Sequence, residues 1–140
     1  MKYGAKQEQS LMKDIWSPHI SDNPYNFVKY AFEWGKKDTP LEDFDGPRKW
    51  QEKILKNIAT HIQRNNVVSM PEMYRLAVAS GRGIGKSALV SWLILWLLST
   101  KLGSTIIVTA NTEQQLRSRT WAELGKWLTL SINSHWFTKT

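Results

Sequence analysis

The chain has 140 residues, of which 41% are apolar, and it carries a formal net charge of +7. This length suits one domain with a single hydrophobic core. The absence of cysteine excludes a disulfide framework and a thiolate metal site. The three histidines are scattered along the chain, so we do not expect a metal that is held by side chains alone. The basic excess is concentrated in residues 71–140, where it indicates either a solvated basic surface or a surface that faces DNA.

The first 45 residues are typical of a polar lead-in that carries two short helices. Ser10–Trp16 can form the first one. The second begins at Asn23 and Pro24, because asparagine caps a helix and proline suits its first position. After a turn-rich connector, Pro47 opens a longer helix whose apolar residues recur at i, i+4 spacing.

Two runs of strand-forming residues follow, over 73–79 and 104–110. Between them lies Ala88–Ser99, which is apolar throughout but too short to span a membrane, so we expect a buried helix there. Thr112 begins the last helix with a capping-box pattern, and this helix extends to about Leu130. The resulting β-α-β order predicts a parallel sheet with a right-handed crossover.

The loop before the buried helix reads SGRGIGKS, residues 80–87. It ends in the Gly-Lys-Ser of a Walker A motif, in which backbone N–H groups and a helix N-terminus hold phosphates. We predict that Lys86 neutralises the β- and γ-phosphates of ATP and that the Ser87 hydroxyl binds Mg²⁺. The phosphate cradle would be formed by Ser80, Gly81, Arg82, Gly83, Ile84 and Gly85. The alternative is a glycine-rich turn that binds nothing.

Two positions of this loop depart from the simplest pattern. Ser80 stands where the motif has its first glycine, but a small residue can serve where the chain leaves a strand, and the spacing matches that of helicase-like ATPases. Arg82 lies four residues before Lys86, within reach of the γ-phosphate, where it would stabilise charge in the transition state. An exposed arginine without a phosphate contact fits this spacing equally well.

Three motifs resemble the N-terminal ATPase domain of the large terminase subunit, the DNA-packaging motor of tailed bacteriophages. They are GPRKWQ (46–51), SGRGIGKS (80–87) and TANTEQQLRSRTW (109–121). The resemblance implies an α/β fold of the P-loop NTPase class, RecA-like and of the ASCE type, with a parallel sheet flanked by helices. It also implies that Lys86 and Arg82 are catalytic and that Gln51 recognises adenine. A glutamine amide suits adenine because it both donates and accepts, although a solvent-facing glutamine is the commoner case.

The resemblance divides the chain into a helical lead-in, 1–45, and the first part of a P-loop ATPase domain, 46–140. No run of four apolar residues is followed by Asp or Glu, so a Walker B acid is missing. The family's catalytic glutamate, coupling motif and C-terminal nuclease domain have no counterpart here either. We therefore expect a fragment, truncated before Walker B, with weak or no turnover by itself.

The function that the resemblance implies is ATP-driven translocation of double-stranded DNA into a preformed capsid. The implied partners are double-stranded DNA, the portal protein ring, the small terminase subunit and further copies in a ring on the portal. The implied place is the cytoplasm of the host bacterium, with no membrane and no signal peptide. Two alternatives stay open: a helicase- or translocase-like ATPase of another family, and a non-enzymatic basic module that binds nucleic acid with the loop as an anion nest.

Overall fold

The structure is a computed structural model that describes residues 4–65, 73–78 and 85–138. The longer elements in these ranges are α-helices, separated by turns and irregular segments. In chain order they are α1 (Ala5–Ile15), α2 (Pro18–Ser21), α3 (Pro24–Ala31), α4 (Lys49–Asn65), α5 (Lys86–Thr100), α6 (Glu113–Gln115) and α7 (Ala122–Leu130). A π-helix, Leu116–Trp121, joins α6 to α7, and a short 3₁₀ helix, Ser134–Trp136, follows.

Two helix starts follow the chemistry that the sequence predicts. The Asn23 side chain accepts a hydrogen bond from the N–H of Asn26, and Pro24 takes the first position of α3. In the same way, the Thr112 hydroxyl accepts a hydrogen bond from the N–H of Gln115 at the start of α6. Both predicted helices are therefore confirmed, and the last one contains the π-helical turn as an unpredicted feature.

The hydrophobic core is built around α5, which packs against α2, α3 and α7. A helix that is apolar on all sides needs cover on several sides, and α5 buries both its tryptophans and half of its aliphatic residues. The same core takes fully buried side chains from the first half of the chain, such as Ile15 of α1, Phe27 of α3 and Leu55 of α4. The predicted buried helix is confirmed, and the described residues 4–45 share one core with α4, α5 and α7.

Indole N–H groups fasten the N-terminal helices to the C-terminal half of α5. Trp16 Nε1 donates to the carbonyl oxygen of Ser99 at 2.9 Å. Trp96 Nε1, on α5 itself, donates to the carbonyl oxygen of Ser21 at 3.1 Å. Because the last carbonyls of a helix have no intrahelical donor, the first of these bonds satisfies a group that the end of α5 leaves open. Among the helices described, none is both long and apolar enough to cross a membrane.

The predicted α/β fold with a parallel sheet is wrong for the residues that the structure describes, since these form helices and no strand or sheet. The runs predicted as strands are irregular over 73–78 and 104–110. β-Branched residues favour extended backbone, but a strand also needs a neighbour that takes up its N–H and C=O groups. The second run has no such cover, and the side chain of Ile107 is 84% exposed. The β-α-β crossover of a P-loop NTPase is therefore wrong as well.

Candidate phosphate-binding cleft

A cleft of about 860 Å³ opens at the N-terminal end of α5. Its lining comes from the connector after α3, from the first turns of α4 and α5, and from one face of the π-helix and α7. This volume lies within the range of pockets that hold small ligands and cofactors. We call this feature the α5 cleft.

Four of the residues predicted from sequence line the α5 cleft: Gln51, Gly85, Lys86 and Ser87. Gln51 and Gly85 are 34 positions apart in the chain. The contact between these two residues is the point at which the starts of α4 and α5 meet. The other predicted loop residues, Ser80, Gly81, Arg82, Gly83 and Ile84, lie outside the described residues. The cradle and the role of Arg82 therefore stay predictions.

The first turn of α5 is suited to an anion. Gly85 precedes the helix with φ 92° and ψ 17°, and Lys86 and Ser87 follow as exposed residues at its first two positions. The first N–H groups of a helix have no partner within the helix and lie at the positive end of its dipole. The turn contains no acidic side chain, and Gly85 provides no side-chain cap. A phosphate bound here would meet N–H donors and the Lys86 ammonium.

Gln51 holds the starts of α4 and α5 together. Its side chain is buried, with 3% of its surface exposed. Its Oε1 accepts the N–H of Arg48 at 2.8 Å, and its Nε2 donates to the carbonyl oxygen of Gly85 at 2.7 Å. The same carbonyl accepts the N–H of Leu89 at 3.1 Å. Both ends of the amide thus bind backbone groups, which gives Gln51 a positioning role that the sequence did not predict. Adenine recognition by Gln51 stays a prediction.

Three tryptophans from distant parts of the chain form the aromatic part of the cleft lining: Trp34, Trp92 and Trp127. The rings of Trp92 and Trp127 meet edge to face with their centroids 5.1 Å apart, and those of Trp34 and Trp92 do so at 5.9 Å. Trp92 is 2% exposed, and its Nε1 has no hydrogen-bond acceptor among the described residues. A buried donor without a partner costs about 1–3 kcal/mol.

The charged side chains in the described lining are mostly cationic. They are Arg48, Lys86, Arg119, Lys126 and one carboxylate, Glu123. Sequence reasoning gave no role to Arg48, Arg119, Glu123 or Lys126. A signal for part of the set was present, because Ser118, Arg119, Ala122, Glu123 and Lys126 recur at the spacing of one helix face. That pattern predicts a shared face but does not say what the face meets.

Glu123 is fixed within the lining by the indole of Trp127, whose Nε1 donates to Glu123 Oε1 at 3.0 Å. Lys126 lies over the Trp127 ring, with its Nζ 5.5 Å from the centroid. No group of three or more His, Asp or Glu that could hold a metal occurs in the described ranges. Mg²⁺ at nucleotide sites is usually bound by one or two protein oxygens together with the phosphates and water. Ser87 and Glu123 are the oxygen donors of this kind that we consider for the α5 cleft.

Comparisons of the chain with protein-family models, with curated proteins and with solved structures gave no match. The likeness to the large terminase subunit therefore rests on the three sequence motifs. The case for a ligand rests on the α5 cleft and on the residues that line it.

Proposed function

We propose that this chain binds ATP in the α5 cleft, with the phosphates at the start of the helix. One observation carries the proposal: Lys86 and Ser87 of the Gly-Lys-Ser motif face a ligand-sized cleft whose described charged lining is four cations and one carboxylate. A polyphosphate is the common small ligand that matches a helix N-terminus, a lysine and further cations in one place.

Each of the described residues has a defined part in this proposal. The N–H groups of the first turn of α5 donate to phosphate oxygens, and Lys86 supplies a positive charge beside them. Mg²⁺ supplies further neutralisation of the phosphates when it is bound, with the Ser87 hydroxyl as a ligand. Gln51 keeps Gly85 in place, so that the first turn of α5 does not have to be ordered when the ligand arrives.

We further propose that the chain is the ATP-binding part of a viral DNA-packaging motor of the large-terminase kind. The three motifs named above support this role, and the net charge of +7 suits a polyanionic partner. In such a motor ATP hydrolysis drives double-stranded DNA into the procapsid. The partners would be the portal ring, the small terminase subunit and further copies of the chain, in the cytoplasm of a bacterial host.

A titration of intrinsic tryptophan fluorescence with MgATP tests the binding proposal, because three tryptophans line the cleft. We expect a saturable change that ADP and inorganic pyrophosphate compete away. Lys86→Ala should weaken ATP binding about 10-fold or more, since hydrogen bonds to charged groups are strong. Lys13→Ala is the matched control, because it removes the same charge from an exposed position on α1 outside the cleft.

The same titration can contradict the proposal. If MgATP binds equally well to wild type and Lys86→Ala, the position of the site is wrong. If the wild-type protein does not bind MgATP but binds double-stranded DNA with an affinity that falls steeply as the salt concentration rises, the chain is a nucleic-acid-binding module. That second result would favour the non-enzymatic alternative over the motor.

A further inference from the structure

The helix that contains the π-turn and α7 contributes a second cationic surface to the α5 cleft. It packs along α5, and both Arg119 of the π-helix and Lys126 of α7 line the cleft. Neither residue has a carboxylate partner within the described part of the chain. These two cations are therefore available to a ligand in addition to Lys86.

Two arginines that are close in sequence lie on different sides of the π-helix. Arg117 forms an exposed ion pair with Glu113, with its Nη2 2.6 Å from Glu113 Oε1, and it does not line the α5 cleft. Arg119, two residues later, does line it. Residues two positions apart do not face each other on a helix, and π-helical turns, although rare, occur often at functional sites. The two arginines form a natural pair of test and control residues.

We propose that Arg119 and Lys126 bind the polyphosphate of the nucleotide whose first contact is Lys86, so that affinity rises with the number of phosphates. A guanidinium binds phosphate oxygens in pairs, and a lysine adds a point charge. The described lining carries more positive than negative charge, so it matches a chain of phosphates better than a single phosphate. The cations are Arg48, Lys86, Arg119 and Lys126, and the one carboxylate is Glu123. This inference rests on the proposed function.

Calorimetric titrations with ATP, ADP, AMP and inorganic tripolyphosphate test the inference on wild type and on single variants of the full chain. In wild type, ATP should bind more tightly than ADP, and ADP more tightly than AMP. Arg119→Gln should weaken ATP and tripolyphosphate about 10-fold while changing AMP little. Lys126→Gln should have a smaller effect of the same kind, and Arg117→Gln, on the same exposed helix, should have none.

The outcomes separate the inference from the function on which it rests. If wild type binds ATP and Lys86→Ala does not, but Arg119→Gln keeps the wild-type order of affinities, the inference is wrong and the proposed function stands. If no nucleotide binds but tripolyphosphate binds in a manner that depends on Arg119, the anion site stands and the proposed function is wrong. Far-UV circular dichroism shows whether each variant is folded, and Arg119→Lys, which keeps the charge, should recover part of the affinity.

Discussion

Replacing Gly85 by alanine should perturb the contact on which the start of α5 depends. Gly85 has φ 92°, and an L-residue in the left-handed region costs about 1–2 kcal/mol. A Cβ at this position would also collide with Nε2 of Gln51, which is buried and bonded at both ends. Moving that amide would leave a buried polar group unpaired, at a cost of about 1–3 kcal/mol. We therefore expect Gly85→Ala to lower the free energy of unfolding by about 2–5 kcal/mol.

Urea unfolding followed by circular dichroism measures this loss. Gly103→Ala is the control, because Gly103 also has a positive φ, 76°, but nothing lies within 4 Å of a Cβ there. The decrease in the free energy of unfolding caused by Gly103→Ala should therefore reflect the backbone strain alone. In a Gln51→Ala background the collision is absent, so the added cost of Gly85→Ala should fall to the strain alone. The reasoning would be refuted if Gly85→Ala and Gly103→Ala lowered the free energy of unfolding equally and if the cost of Gly85→Ala were the same with and without Gln51→Ala.

Two further predictions concern single carboxylates. Glu123→Gln keeps an oxygen for the Trp127 indole but removes a negative charge from the cleft, so ATP affinity without Mg²⁺ at low salt should rise about two- to threefold; a weaker affinity by calorimetry would contradict this. Hydrogen bonds from Trp136 and then His135 hold the pKa of Glu8 below its ordinary value of 4.5. The folded state thus gains stability above pH 4.5 and loses it as the pH falls towards the lowered pKa. Glu8→Gln should flatten the dependence of the urea midpoint on pH in that acidic range, and an unchanged slope would contradict the assignment.

The parts of the fold that the sequence predicted are those decided locally. The cap residues Asn23 and Thr112 and the apolar stretch of α5 act within a few positions of themselves, and all three helices occur. The predicted strands are wrong over the described residues 73–78 and 104–110, because pairing depends on a partner that local composition does not specify. Half-buried and exposed side chains alternate along residues 104–109, as they would on a strand with one covered face. No strand lies beside them among the described residues.

The candidate site could be predicted in part. The Gly-Lys-Ser triplet marks the start of α5, and the motif around Gln51 marks a second segment that the structure brings next to it. The amide of Gln51 binds Arg48 and Gly85, however, and this depends on the distance between two helix starts that no short pattern encodes. Arg119 was missed because its spacing predicts a shared helix face but not what that face meets, which depends on the packing of α7 against α5.

The central place of α5 has a consequence for how the chain is made. The indole bonds of Trp16 and Trp96 join residues 83 and 75 positions apart, so the N-terminal helices emerge from the ribosome long before the helix that they cover. Contacts between such distant residues slow folding. During that interval the apolar surface of the nascent lead-in, and then of α5 itself, is open to other chains. The yield of native protein should therefore depend on chaperones and on the speed of translation through residues 86–100.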